Sequence, residues 1–112
     1  VHCFTGTNFQ LDDYLERGLH IGLTGWICDE RRNKDLREAI KDIPADKLMI
    51  ETDAPYLIPR NLKMKPKNNR NEPKFLPHIA DEVASLMNIN LEEFNKQVFD
   101  NGISFFNINL KD

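Results

Sequence analysis

The stretch Leu48-Met49-Ile50-Glu51-Thr52-Asp53-Ala54-Pro55 decides how this chain is read. Three consecutive apolar residues after Lys47 predict a short buried strand, and Pro55 cannot continue a ladder because it has no N–H to donate. Alternation along the strand puts Met49, Glu51 and Asp53 on one face and Leu48, Ile50 and Thr52 on the other. Two carboxylates therefore point the same way at the strand's carboxyl end. An unpaired buried carboxylate costs energy comparable to the whole stability of a small domain, so a cation or strong donors are expected beside them. The alternative is structural: Asp53 caps the following turn and Glu51 makes an ion pair.

Upstream, residues 1–5 read as a strand with His2 and Phe4 on one face, closed by Gly6. Thr7 or Asn8 caps a helix whose Leu11, Tyr14 and Leu15 share a side, and Gly18 sits where a left-handed terminator belongs. Residues 19–24 form a second short strand and residues 25–32 a loop. Asn33 then caps a second helix with Leu36, Ile40 and Ile43 inward, ended by Pro44. Downstream of the opening strand, a loop of about twenty residues carries Pro55, Pro59, Pro66 and Pro73, a length that is usually functional or disordered. Pro77 suits the first turn of a third helix with Ile79, Val83, Leu86 and Met87 along one face, and Asn90 opens a fourth. A separate short helix is predicted over residues 101–108, weakened by Gly102.

Three short apolar strands alternating with helices predict an α/β domain with parallel pairing and right-handed crossovers. Three units cannot close an eight-stranded barrel, which takes about 250 residues. An open doubly wound sheet is the alternative, but its glycine-rich phosphate loop is missing: Gly6, Gly22 and Gly25 do not make GxGxxG. The chain of 112 residues is at most one domain. It has no membrane-length apolar run and no secretory leader, and Cys3 and Cys28 fit neither a zinc finger nor a disulfide framework, which together predict a soluble, cytoplasmic protein. The sequence opens inside a strand pattern without methionine, which predicts a piece of something longer.

A net charge of −3 conceals a local excess of cations. Residues 60–74 hold Arg60, Lys63, Lys65, Lys67, Arg70 and Lys74 against Glu72 alone, while the rest of the chain sets nine positive charges against seventeen negative. A cationic loop on an acidic body predicts an anionic ligand at that loop; the alternative is a loop whose lysines only keep it soluble. In parallel α/β architecture functional groups gather at the carboxyl ends of strands. There the sequence places His2, Glu51 and Asp53, one imidazole and two carboxylates, which are ligand types for a divalent cation. His20 and His78 have no such partners and read as structural. The basic loop follows the same strand end, with Arg31, Arg60, Lys65 and Arg70 as candidate phosphate contacts and Trp26 as a surface on which a base could stack. A metal site beside a phosphate-gripping loop predicts phosphodiester hydrolysis.

His2-Cys3-Phe4-Thr5-Gly6, Gly22-Leu23-Thr24-Gly25-Trp26 running into Cys28-Asp29-Glu30-Arg31-Arg32, Glu51-Thr52-Asp53-Ala54-Pro55-Tyr56-Leu57, and Arg70-Asn71-Glu72-Pro73 before Leu76-Pro77-His78-Ile79 keep the order and spacing of one known family. Across nearly its whole length the chain resembles the carboxyl-terminal half of the TatD family of metal-dependent deoxyribonucleases. The resemblance implies a TIM barrel of the metallo-dependent hydrolase type, with residues 1–112 as a partial domain holding its last three strand-helix units and the amino-terminal half absent. It implies a metal-binding His2, and an Asp53 that binds metal and accepts a proton from the attacking water. Glu51 would hold a ligand in orientation. Two divalent ions are implied, Mg2+ first and Zn2+ or Mn2+ as alternatives, with single-stranded DNA as substrate and exonuclease action. The family's remaining ligands lie in the absent half, so the isolated chain is expected to be inactive and to self-associate through an exposed barrel edge. Two other readings stay open: a metallohydrolase of the amidohydrolase type acting on a small ester or amide, and a non-catalytic half-barrel that binds nucleic acid or a partner.

Overall fold

The structure, a computed structural model, describes residues 1–110. Its centre is a parallel pair of three-residue strands, β1 (Ile21–Leu23) and β2 (Leu48–Ile50), with Ile21 opposite Leu48, Gly22 opposite Met49 and Leu23 opposite Ile50. The ladder runs one step past β2, where Glu51 N–H donates to Leu23 O at 2.8 Å. Asp53 lies beyond the strand, in an isolated antiparallel bridge with Tyr56. The second strand thus ends earlier than alternation suggests, because the chain turns back at Ala54-Pro55.

The predicted first strand is corrected: residues 1–5 lie along β1 without forming one. Gly22 N–H donates to Val1 O at 2.8 Å and Gly22 O accepts from Phe4 N–H at 2.9 Å, one residue more than a regular parallel ladder spans. The extra residue makes a bulge, and Cys3 within it adopts left-handed backbone with φ 51°. Cys3 N–H is thereby turned out of the ladder. Both edges of β1 are occupied, which is why all three of its residues are buried.

Four helices surround this ladder: α1 (Asn8–Glu16), α2 (Lys34–Ala39), α3 (Leu76–Leu86) and α4 (Leu91–Phe105). Thr7 caps α1 in a reciprocal box with Gln10, and Gly18 at φ 74° closes it, with Gly18 N–H on Leu15 O and Leu19 N–H on Tyr14 O. Asn88 and Asn107 end α3 and α4 in the same left-handed way. Asn33 precedes α2 as expected but makes no side-chain cap; its amide donates instead to Ile27 O at 2.7 Å. The separate helix expected over residues 101–108 is also corrected, since α4 runs unbroken to Phe105. Asn101 does not start a helix there. Its Nδ2 donates to Ala45 O and Leu48 O, each at 2.7 Å, and bolts α4 to the entry of β2.

Leu11, Ile21, Leu23, Ile27, Leu36, Ile40, Leu48, Ile79, Val83 and Phe94 form the buried core between ladder and helices. Each such side chain contributes on the order of 1.5–3 kcal/mol when removed from water. Gly22 and Met49 share the other face, where the Glu51 carboxylate lies against Gly22. The ladder therefore has a helix-packed face and a face that carries polar chemistry.

Candidate metal centre

His2 is brought between the two carboxylates. Its Nδ1 lies 2.5 Å from Glu51 Oε1 and its Nε2 lies 3.3 Å from Asp53 Oδ1. One donor atom from each of the three residues lies within 4.8 Å of the others. Two donors about 2.1 Å from a common cation are separated by up to about 4.2 Å, a range that holds His2 Nε2 and Asp53 Oδ1 at 3.3 Å. His2 is largely exposed while the carboxylates are half-buried, leaving the open side of the cluster toward solvent.

Glu51 is held from three sides. Besides His2, its Oε1 accepts the Cys3 N–H at 2.6 Å, the donor freed by the bulge. On the third side lies Gly22, where an added Cβ would stand 3.1 Å from the Glu51 Cδ and 3.2 Å from each of its oxygens. The missing side chain lets the carboxylate lie against β1 without that tight contact. Beside it, Cys3 Sγ contacts Thr24 Oγ1 at 3.5 Å, and burial is the main cause of a raised Cys3 thiol pKa.

The residues expected to contact substrate fall into two groups. Arg31 and Arg60 are engaged within the protein: Arg31 grips Asp29 through Nε and Nη2 at 2.9 Å each, and Arg60 Nη2 reaches Glu30 Oε1 at 2.9 Å. The Arg31 fork, joined by Arg32, holds the Asp29 carboxyl well below the usual carboxylate range. Trp26 is half-buried with the Arg32 guanidinium 4.0 Å from its ring centroid, and its Nε1 is buried without a partner among the described residues. Lys65 and Arg70 are exposed, and among the described residues neither side chain is in an ion pair. His78 bonds Asn61 at 2.6 Å and His20 packs edge-on against Phe105; among the described residues neither is paired with Glu51 or Asp53.

The long loop is ordered by a residue to which the sequence reading assigned no role. Asn71, only 1% exposed, donates Nδ2 to Tyr56 O at 2.8 Å, while its N–H donates to Pro55 O at 3.0 Å. Nothing local marks this asparagine, since its partners lie some fifteen residues away. Asp29 was more legible: an aspartate two and three positions before arginines is a loop-closing pattern. Cys28 behaves as a core residue, and burial pushes its thiol up to about 12. Among the described residues no helix is long and apolar enough to cross a membrane.

A family model described as TatD related DNase matches residues 1–107. A protein of Rahnella sp. (strain Y9602) named 3'-5' ssDNA/RNA exonuclease TatD is 64% identical over 84 residues, 75% of this chain and 32% of that protein. One of the same name from Citrobacter rodentium (strain ICC168) is 50% identical over 111 residues, 99% of this chain and 42% of the relative. The chain thus spans well under half the length of these relatives. Among solved structures, the TatD homologue YJJV from Escherichia coli k12 superposes with a TM-score of 0.85 at 26% identity, covering 97% of this chain and 40% of that one. A TatD family hydrolase from Entamoeba histolytica gives 0.82 at 32% identity, covering 93% and 40%. The fold is accordingly α/β of the TIM-barrel-like metallo-dependent hydrolase type, and the two-stranded sheet is consistent with an incomplete barrel. With a family model matched over residues 1–107 and relatives this similar, the chain belongs to the family of TatD-related DNases.

Proposed function

We propose that these residues are the last three strand-helix units of a barrel, one partial domain of a cytoplasmic, metal-dependent deoxyribonuclease. It shortens single-stranded DNA from the 3' end and acts on RNA as well, as the names of the relatives suggest. Two unpaired thiols accord with a reducing compartment. The observation that carries the reading is His2 bridging Glu51 and Asp53. Glu51 takes the Nδ1 side and fixes the ring, which leaves Nε2 and the Asp53 carboxylate directed at one point. Divalent ions bound there, two in the complete site, would polarise a phosphoryl oxygen and acidify water. The carboxylate-rich set favours Mg2+, while the imidazole also suits Zn2+ or Mn2+.

Asp53 then accepts the proton of the water that attacks phosphorus, and His2 stays oriented by Glu51. Lys65 and Arg70 hold the incoming phosphates, with Arg31, Arg60 and Trp26 shaping the neighbouring loop. Three donors are fewer than the four to six that divalent sites generally use, so the 112-residue chain alone is inactive and needs ligands from outside it. In the complete protein, hydrolysis of single-stranded DNA should stop on chelation and return with added Mg2+. Asp53→Asn, which keeps the shape and removes the base, should lower kcat by roughly 100-fold or more. Undiminished turnover in that variant would remove the assignment.

A further inference from the structure

Asp53 and Tyr56 face each other across an antiparallel bridge, closed by Tyr56 N–H on Asp53 O at 2.7 Å. Directly opposed residues of such a pair project from the same face, with Cβ atoms about 5 Å apart. The Cβ of Tyr56 therefore lies on the same side of the turn as that of Asp53, whose carboxylate is 3.3 Å from His2 Nε2, and Tyr56 is 74% exposed. Its backbone is immobilised from below by buried Asn71, which bonds Tyr56 O through Nδ2 and Pro55 O through its N–H. Asn71 also follows Arg70 directly, so one clamp sets both the exposed ring and the edge of the cationic loop. Trp26 offers less open surface, because Arg32 covers its ring.

An exposed aromatic side chain on a hydrogen-bonded backbone next to Asp53, in a chain that also carries a cationic loop, suits a flat apolar group joined to a phosphodiester. A nucleobase is that group. We infer that Tyr56 stacks on the base of the terminal nucleotide, so that the site accepts an unpaired end and discriminates against one held in a duplex. Bases within a duplex are already stacked on both faces and would have to be pulled out, at a cost of a few kcal/mol. The inference rests on the nuclease reading of the metal centre.

The test uses the complete protein and a fluorescein-labelled single-stranded oligonucleotide. Binding is followed by anisotropy with cleavage blocked by a chelator, and KM is measured separately with Mg2+. Tyr56→Ala and Tyr56→Leu should each weaken binding and raise KM roughly tenfold, while Tyr56→Phe restores both because the ring persists. An abasic residue at the 3' terminus should weaken the wild type by the same factor and leave Tyr56→Ala unchanged. Wild-type affinity and KM in Tyr56→Leu, or independent multiplication of the abasic and alanine effects, would overturn stacking while chelator-sensitive cleavage kept the nuclease reading intact. A wild type that neither binds nor cleaves single strands would overturn both.

Discussion

Gly22 carries more of the candidate site than any of its charged residues suggests. Its N–H and C=O tie down Val1 and Phe4 on either side of the bulge, and its missing side chain gives the Glu51 carboxylate a place to lie. Glu51 in turn receives Cys3 N–H and His2 Nδ1. An alanine Cβ would press on that carboxylate at 3.1–3.2 Å, so the carboxylate would have to give by a few tenths of an ångström, at the expense of its short contacts with both donors. The backbone of Gly22 is not left-handed, so the substitution should spare the fold. In the complete protein, Gly22→Ala is expected to weaken metal binding roughly 10- to 100-fold, as loss of an orienting partner does elsewhere. Isothermal titration with Mn2+ measures this, and unchanged affinity would show that Glu51 holds its position without β1.

Among the elements, the connections are governed by buried asparagine side chains. Asn33, Asn71 and Asn101 satisfy backbone carbonyls on Ile27, on Tyr56 and on the pair Ala45 and Leu48 respectively, six, fifteen and more than fifty positions away. Such groups are costly to leave unmade, which is why they specify how loop and helix meet the ladder. The cationic loop illustrates the division of labour. Its ends are anchored by Asn71 and by the Arg60–Glu30 pair, whereas Lys65 and Arg70 stay exposed. Replacing both by alanine should lower the salt dependence of single-strand binding by about 0.7 in log-log slope for each lost phosphate contact. Anisotropy titrations across a salt series would show it, and an identical slope would return the loop to a purely solubilising role.

At the scale of the whole molecule, the ladder is unfinished. The outer edge of β2 has no strand partner among the described residues, and beside it a cavity of about 490 Å³ opens between Met49, Ile50, Leu76, Val98, Phe99 and Phe106. Phe99, Phe105 and Phe106 are all more than half exposed. An open strand edge flanked by apolar side chains invites a second chain. The 112-residue chain on its own should elute from a sizing column as oligomers at micromolar concentration, and Phe99→Lys should shift it toward monomer. A well-behaved wild-type monomer would mean that this face is adequately protected.

The sequence by itself determined the alternation of short apolar strands with helices, the termini at Thr7, Gly18 and Asn90, and the two acids after β2, because these are local patterns of polarity and backbone preference. It also marked His2 as the imidazole nearest those acids. Tertiary structure decided the rest. A strand pattern at residues 1–5 became a bulged segment because Cys3 N–H is claimed by Glu51, forty-eight positions away. Residues 101–105 joined α4, where Asn101 serves as a bolt to β2. Arg60 turned inward to Glu30, thirty positions away, and the Tyr56 carbonyl was clamped by Asn71, fifteen positions away. Each of these outcomes depends on hydrogen bonds whose partners are close only after the chain has folded, and local sequence carries no record of them.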